Sequence, residues 1–531
     1  MFHSSLAGSE RVQLPGSRAV GRPDPAERLE ITLLLRRKAA SAFARAAASL
    51  HRHDRTPVRF ERREFAEAYG SDPRDAALVA SVAEIFGLAV VQHVEARRTI
   101  VLSGTVAAAE RAFGVELQHF EYPGGTYRGR SGAVALPREL CGVVTAVLGL
   151  DNRPAAAPQL RVRPAASAGA RAHAPGEVAA LYGFRDRSAA GQTIALIELG
   201  GGFAPADLRA YFNALGGPVP RVCPFSVDHA ANLPSPGGGL AHNAALFDVE
   251  VAAAVAPGSR IAVYFAPNTE AGFINAVTTA IHDERLAPGV LSISWGGPES
   301  AWTAQARTAL DDALQAAALL GVTVCVASGD RGSRDGLSDG HEHVDFPASS
   351  PYALACGGTL MRTAGSQVLA ETAWADPAPG GSTGGGESAC FDLPQWQSGA
   401  ALTLAGGVAR PLERRGVPDV AGNAAPESGY RIRVGGEEVV AGGTGAAAPL
   451  WAGLIACVNA TREAPLGFVN PALYANREAF RDIVAGDNGG YQATPGWDAC
   501  TGLGSPAPEV FEPAAEPILV SSERKALLAP R

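Results

Sequence analysis

The sequence predicts an α/β protein in which a parallel sheet carries helices on both faces, preceded by a smaller α+β domain with an antiparallel sheet. After residue 177, continuous apolar runs rich in β-branched residues alternate with segments of helical spacing. That alternation is typical of parallel strands buried on both faces. From about residue 28 to 150, shorter strand and helix signals alternate, which indicates an antiparallel sheet packed against helices.

The elements of the smaller domain follow one another in a regular order. In chain order the candidate segments are RLEITLLLRRK, REFAEAYG, DAALVASVAEIFGL, VVQHVEARRTIVLSG, AAERAFGVEL and PRELCGVVTAVLGL. The stretch 152–176 contains four prolines and few apolar side chains, so it is predicted to be an exposed linker. We therefore place the smaller domain at residues 1–151, the linker at 152–176 and the larger domain at 177–531, with a C-terminal tail from about residue 507.

The larger domain begins with four predicted strands and the helices between them. The strand candidates are TIALIEL, RIAVYFAP, VLSISWG and VTVCVASGD, and the helix candidates are AALFDVEVAAAVA, EAGFINAVTTAIHDE and TAQARTALDDALQAAALLG. In parallel sheets of this kind, ligands bind at the carboxyl ends of the strands. A functional site is therefore expected at that edge.

Composition argues against several classes of function. Hydrophobic residues make up 47% and charged residues 18% of the 531 residues, which indicates a globular chain. The net charge of -8 argues against a nucleic-acid partner, and no apolar stretch approaches the ~18 residues of a membrane span. The N-terminus lacks the pattern of a signal peptide, so a cytoplasmic location is expected by default. The seven cysteines are scattered without a CxxC pair, so buried thiols are expected rather than a disulfide framework.

Seven ordered motifs in the larger domain carry a resemblance to a known family. They are IELGGGF (197–203), DVEVAAAVAPGSRIAVYFAP (248–267), SISWGG (292–297), ASGDRGSRDG (327–336), HVDFPASSPYALACGGT (343–359), RGVPDVAGNA (415–424) and GGTGAAAPLWAGL (442–454). With these motifs the chain resembles the sedolisins, which are serine-carboxyl peptidases, and most closely their kumamolisin-like branch. The N-terminal part is similar to the propeptide of that family through LPGS, RLEITLLLRRK, RTIVLSGTV, YRGRSG and LGLDNRP. The resemblance implies a subtilisin-like fold, a propeptide and descent from endopeptidases that are often secreted.

The resemblance also implies that the nucleophile and the general base have both been lost. The family's serine matches Gly445, and glycine has no side chain that could attack a peptide bond. The family places a glutamate four residues before an aspartate on one helix, where the glutamate takes the serine proton. The aspartate is Asp248 here, but Ala244 stands in the place of the glutamate. Thr444 is adjacent to the nucleophile position, yet a shift of one residue turns a side chain by about 100° around a helix.

Other parts of the catalytic site are retained. Asp330 matches the acid that, when protonated, donates a hydrogen bond to the oxyanion. Glu198 and Trp295 match an acid and an aromatic residue that support the catalytic carboxylates, and Asp345 matches a carboxylate lining the substrate pocket. Taken without the family, Asp248 would be a local cap or ion pair and Asp330 a turn residue. The resemblance places both in the ancestral cleft.

The resemblance further implies a calcium site near the C-terminus. The family binds Ca²⁺ through two aspartates and three main-chain carbonyl groups, and the matching residues are Asp482, Ile483, Thr494, Gly496 and Asp498. Two carboxylates and backbone oxygens suit this hard cation. Thr494 stands where glycine is common, which leaves the carbonyl group in place. The alternative interpretation is a glycine-rich surface turn.

Together these features predict a pseudopeptidase with a sedolisin fold. Its function would rest on binding, either of a peptide segment in the old substrate groove or of its own propeptide. One alternative is an enzyme of new acid-base chemistry that uses Glu198, Asp248 and Asp330 in an emptied pocket. Another is an active acid peptidase with an unrecognised nucleophile, which a digestion assay at acid pH would reveal.

Overall fold

The computed structural model describes residues 2–52, 59–164, 172–185, 187–234, 239–377 and 380–511. The strands of the N-terminal domain are β1 (His3–Ser5), β2 (Arg18–Gly21), β3 (Arg28–Leu35), β4 (Ala89–Val94), β5 (Thr99–Thr105), β6 (Gln118–Tyr122), β7 (Gly125–Gly129), β8 (Ala135–Pro137) and β9 (Val144–Leu148). Its helices are α1 (Ala40–Ser49), α2 (Arg62–Tyr69), α3 (Pro73–Ile85) and α4 (Val106–Phe113). The connecting segment contributes β10 (Ala157–Pro158) and β11 (Arg161–Pro164).

A four-stranded antiparallel sheet forms the centre of the N-terminal domain. Its strands lie in the order β4-β5-β3-β9, and α3 and α4 pack against it. Leu33 and Leu35 of β3 lie in the domain's own core, whereas Leu34 joins the core of the larger domain. This alternation follows from the two-residue period of a strand. The predicted α+β domain with an antiparallel sheet is confirmed.

The larger domain supplies the remaining elements. Its strands are β12 (Thr193–Glu198), β13 (Arg221–Ser226), β14 (Arg260–Phe265), β15 (Val290–Ile293), β16 (Trp295–Pro298), β17 (Thr323–Ala327), β18 (Asp345–Phe346), β19 (Leu354–Ala364), β20 (Gln367–Ala373), β21 (Gly386–Asp392), β22 (Ala401–Thr403), β23 (Ala409–Pro411), β24 (Arg414–Val417), β25 (Val420–Asn423), β26 (Tyr430–Val434) and β27 (Glu437–Gly442). Its helices are α5 (Pro175–Leu181), α6 (Pro205–Ala214), α7 (Leu240–Val255), α8 (Glu270–Ile281), α9 (Ala304–Leu319), α10 (Thr444–Asn459) and α11 (Asn470–Ala475).

A twisted sheet runs through the larger domain in the order β13-β14-β12-β15-β17-β19-β20, and β25 also pairs with β19. All of these pairs are parallel except β19 with β20. Helices α7 and α10 pack on each other and on one face of the sheet, and α8 and α9 pack on each other and on the opposite face. The predicted parallel sheet with helices on both faces is confirmed.

The strand order brings candidate functional residues to one edge of this sheet. Strand β12 lies between β14 and β15, so the crossovers on its two sides leave in opposite directions. Glu198 ends β12, Ser294 follows β15, and Asp330 lies shortly after β17. The carboxyl ends of these strands therefore present all three residues to the same region, which is the edge where the sequence predicts a functional site.

Residues 155–164, here called the strap, are not the exposed linker that composition predicts. Strand β10 pairs antiparallel with β16, and β11 pairs antiparallel with β27. The N–H groups of Ala155 and Ala156 both donate to Oδ1 of Asn268. The expectation of an exposed linker is therefore wrong for the strap, because distant partners satisfy its main-chain groups. Residues 165–171 of the expected linker lie outside the described residues, and the domain boundaries stay a prediction.

Buried polar contacts hold the N-terminal domain on α9. Asp312 of α9 accepts hydrogen bonds from Arg37, at 2.7 Å, and from Arg98. Both arginine side chains are less than one-tenth exposed, and burial lowers the pKa of Arg37 to about 10. Gln305, also on α9, both donates to and accepts from the main chain of Val147. The domain interface thus depends on pairs that are shielded from water.

The structure also shows the lengths of the apolar helices and the state of the cysteines. No helix in the described part of the chain is long and apolar enough to cross a membrane. The cysteines are free thiols; the four buried ones are Cys325, Cys356, Cys457 and Cys500.

Candidate active site

Gly445, the residue that the resemblance matches to the nucleophile, lies in the first turn of α10, which runs through the protein core. Gly443 precedes the helix with a φ of 104°, a conformation that favours glycine. Pro449 lacks an N–H group, so the helix leaves the carbonyl of Gly445, four residues earlier, without its usual donor. The hydroxyl of Ser294 donates to that carbonyl instead, at 3.1 Å. Gly445 is therefore held firmly although it carries no side chain.

Asp330 lies against the same turn of α10. Its Oδ1 accepts the Thr444 N–H at 2.7 Å and the Thr444 hydroxyl at 2.9 Å, while that hydroxyl accepts from the Gly329 N–H at 3.1 Å. The Thr444 hydroxyl is thus hydrogen-bonded to both Asp330 and Gly329, and it is not free to act as a nucleophile. Burial raises the pKa of Asp330 to about 6, although Thr444 and Arg161 oppose the rise.

Glu198 and Asp248 form a pair of buried carboxyl groups at the end of β12. The indole N–H of Trp295 donates to Oε2 of Glu198 at 3.0 Å, and neither acid is exposed. Burial, followed by the charge of Asp248, raises the pKa of Glu198 well above its usual range. Burial also raises the pKa of Asp248 to about 7, opposed by Ser294 and Glu198. The pair therefore retains a proton close to neutral pH.

Ala244, the residue that the resemblance matches to the general base, lies one helical turn from Asp248. Ala244 and Asp248 both belong to α7, where a spacing of four residues places two side chains on the same face. Ala244 is buried, and its methyl group accepts no proton. Ala244 thus offers no group that could act as a base at the position where the resemblance implies one.

The strap crosses directly over Gly445. The N–H of Gln159 donates to the Ser294 carbonyl at 2.8 Å, and the carbonyl of Gln159 accepts the Gly445 N–H at 2.9 Å. Strands β10 and β11 continue this pairing on either side. An extended peptide that adds itself to sheet edges forms main-chain bonds of this kind. The strap therefore occupies the groove as a peptide ligand would.

The side chain of Gln159 enters an acidic pocket next to Gly445. Its Nε2 donates to Oδ2 of Asp345 at 2.9 Å. Burial, together with the charges of Asp335 and Asp330, raises the pKa of Asp345 well above its usual range. Burial likewise raises the pKa of Asp335 to about 7. A neutral amide thus meets a carboxyl group whose charged form is disfavoured by burial.

Two arginines of the strap contact acids of the larger domain. Arg161 donates to the main-chain carbonyl of Asp330 at 3.2 Å, and its Nε lies 3.7 Å from Oδ2 of the same residue. Arg163 donates to Oδ2 of Asp376 at 3.2 Å. A basic strap therefore lies in an acidic groove, an arrangement that fixes the register and orientation of the strap.

Comparison with known proteins identifies the family. The chain is 45% identical to kumamolisin from Bacillus sp. (strain MN-32) over 521 residues, which cover 94% of each protein. It belongs to the kumamolisin-like sedolisins. Residues 15–153 match the family described as the pro-kumamolisin activation domain. The N-terminal domain of this sedolisin is therefore a propeptide domain, as the resemblance implied.

A second relative and a solved structure extend this result. Sedolisin from Pseudomonas sp. (strain 101) is 28% identical over 482 residues, which cover 84% of this chain and 79% of the relative. The structure of Pseudomonas sedolisin, a serine-carboxyl proteinase complexed with pseudo-iodotyrostatin, matches 65% of this chain and 97% of its own, with 28% identity and a TM-score of 0.58. The larger domain of this chain therefore has the subtilisin-like α/β fold.

The residues expected to bind Ca²⁺ lie together in one region. Oδ2 of Asp482 accepts the Gly496 N–H at 2.9 Å, and Oδ2 of Asp498 accepts the Thr494 N–H at 3.2 Å; Ile483 follows Asp482 directly. Burial raises the pKa of Asp498 to about 7 although main-chain N–H groups donate to it. Among the described residues, no cluster of three metal-binding side chains occurs, so main-chain carbonyls would have to complete the site. A buried carboxyl, a second carboxyl and backbone oxygens fit a hard cation.

Sequence reasoning missed four residues that the structure places in or beside the groove: Gln159, Arg161, Ser294 and Asp335. Ser294 and Asp335 lie inside the motifs SISWGG and ASGDRGSRDG, so those motifs carried a signal. The two strap residues carried none, because the surrounding prolines and alanines indicate only a lack of local structure.

Proposed function

We propose that this sedolisin is a catalytically degenerate peptidase homologue that acts by binding a peptide segment in its groove, and that its own strap is the segment bound. The observation that carries the proposal is the absence of both reacting side chains, at Gly445 and Ala244. Loss of one member of a nucleophile-base unit already removes most of the rate. Loss of both leaves binding as the property that the remaining groove can supply.

The contacts of the strap support the second half of this proposal. Main-chain bonds to Ser294 and Gly445 fix the position of the peptide, while Gln159 and Arg161 add bonds that depend on side-chain identity. The strap connects the propeptide domain with the larger domain, so holding it keeps the two together. The groove then holds the two domains together by binding the strap and does not hydrolyse peptides.

The fate of the strap at acid pH tests the proposal. We expect the chain to keep its full mass of 54.5 kDa after prolonged incubation at about pH 4, because self-cleavage requires the missing nucleophile. Intact-mass spectrometry at two protein concentrations measures this. A fragment that begins within 152–176 and forms at a rate independent of concentration would contradict the proposal, since it would show residual autolysis.

We further propose that Ca²⁺ binds between Asp482 and Asp498. A ligand that binds only the folded state stabilises it by about 2.7 kcal/mol at a hundredfold excess over Kd. EDTA is therefore expected to lower the melting temperature of the wild-type chain and to have no further effect on an Asp498→Asn variant. Asp392→Asn, at a fully exposed carboxyl, is the matched control and should keep the response to EDTA. A wild-type melting temperature that EDTA leaves unchanged would refute the calcium site.

A second candidate function is peptide hydrolysis through Ser294. A Cβ atom on Gly445 would lie 3.3 Å from the Cβ of Ser294, so this hydroxyl is close to the position of the missing one. Asp248 is near enough for Ser294 to lower its pKa. Any acid turnover should then disappear in Ser294→Ala. Turnover that survives this substitution would exclude Ser294 as the nucleophile.

A further inference from the structure

The strap fits Gly445 more closely than the loss of a nucleophile alone requires. A Cβ atom built on Gly445 would lie 3.1 Å from the carbonyl carbon of Gln159. It would also lie nearer to the carbonyl oxygen of Gln159 than the 3.0 Å below which real Cβ contacts essentially never occur. The oxygen of the strap thus fills the space that the first atom of any side chain at position 445 would take.

The carbonyl of Gln159 has little freedom to move away. It accepts the Gly445 N–H at 2.9 Å, while the N–H of Gln159 is bonded to the Ser294 carbonyl at 2.8 Å. On its other side, a Cβ atom on Gly443 would lie 2.6 Å from the same carbonyl oxygen. Gly443 and Gly445 therefore both border the peptide group that carries the carbonyl of Gln159.

We propose that Gly445 is a positioning residue that lets the groove hold a peptide main chain closer than a groove with a serine at this position could. This inference rests on the proposed function, because it takes the strap as the ligand. The same substitution, glycine for serine at position 445, then both removes the nucleophile and makes room for the strap that follows the propeptide domain. The class of ligand is an extended peptide of at least three residues. The first carries an amide side chain that donates to Asp345, as Gln159 does. The second is apolar and buried, as Leu160 is, and the third is basic and contacts Asp330, as Arg161 does.

Restoring a side chain at position 445 should therefore displace the strap. A Cβ atom there forces the carbonyl of Gln159 to retreat by about 1 Å to reach an ordinary contact distance, and a hydrogen bond lengthened from 2.9 Å by that amount no longer counts as one. The pairing of the adjacent strap residues weakens with it. The change is local, because α10 and the sheet beneath it keep their own hydrogen bonds.

Hydrogen exchange of the full-length chain at neutral pH tests this. In Gly445→Ala and Gly445→Ser we expect the strap amides of residues 159–163 to exchange at least tenfold faster, with unchanged exchange in β3 and β5 of the propeptide domain. Gly217→Ala is the matched control, because a Cβ atom there meets nothing within 4 Å. Unchanged exchange of the strap in a folded Gly445→Ala chain would overturn the proposal.

A second measurement needs no variant. Gly445 is the second residue of α10, and the first four N–H groups of a helix have no acceptor within it. Slow exchange of the Gly445 amide in the wild-type chain, resolved by electron-transfer fragmentation, is therefore expected only with the strap in place. Fast exchange would overturn the proposal even if the variants failed to fold. Peptide turnover by the wild type would instead overturn the proposed function, so the two failures are distinguishable.

Discussion

The full-length chain is expected to hydrolyse no denatured protein substrate between about pH 3 and 5, where carboxylate-based peptidases of this type work. Gly445 supplies no nucleophile and Ala244 supplies no base. Removal of a catalytic serine costs on the order of 10⁶ in rate in a well-studied serine peptidase. The measurement is release of acid-soluble peptides, followed by mass spectrometry.

The positive control for this assay is the Pseudomonas sedolisin, which is a serine-carboxyl proteinase. A Gly445→Ser, Ala244→Glu double variant provides the matched comparison, because Asp248 and Asp330 remain in the cleft. We expect turnover to appear in the double variant once the strap is displaced. Wild-type turnover that follows the protein peak through extensive purification would contradict the prediction.

The substitution Asp312→Ala is expected to reduce the free energy of unfolding by about 3–5 kcal/mol, the range for breaking a buried ion pair. Asp312 is the carboxylate partner of both Arg37 and Arg98, whose side chains are 6% and 8% exposed. Its removal leaves two guanidinium groups buried without that partner. Urea denaturation, with an added probe of proteolysis at the domain interface, measures the loss.

An exposed ion pair provides the control for this prediction. Arg63 and Glu67 are bonded at 3.1 Å on α2, and both side chains are more than half exposed. Glu67→Ala should change the free energy of unfolding by less than about 0.5 kcal/mol, since such pairs contribute little. Equal effects of Asp312→Ala and Glu67→Ala would show that burial at the interface does not strengthen the contact.

The parts of the site that depend on one element at a time could be predicted from the sequence. Ala244 and Asp248 lie one turn apart because four residues make slightly more than one turn of an α-helix. Glu198 and Asp330 lie at one edge because parallel strands end together there. The first rule depends only on spacing within one helix, and the second depends only on the strands being parallel. The order of the motifs along the chain was therefore enough to predict both.

The strap lay beyond such rules. Its bonds are largely main-chain bonds, which any sequence can form and which composition does not reveal. The side chain of Gln159 meets Asp345, which is 186 positions away in the chain. The raised pKa of Asp335 depends on burial among other groups, which no spacing within its motif expresses. Tertiary packing decided each of these features.

Because the strap is connected to the protein at both ends, another peptide needs a high concentration or a high affinity to replace it. A tethered segment competes at an effective concentration on the order of millimolar, however dilute the protein is. A soluble peptide that makes the same contacts would need a comparable concentration, or an affinity higher by the corresponding factor, to displace half of the strap. Access of another peptide to this groove is thus set by its concentration relative to the effective concentration of the strap, and peptides present at well below millimolar concentration are excluded unless they bind more tightly.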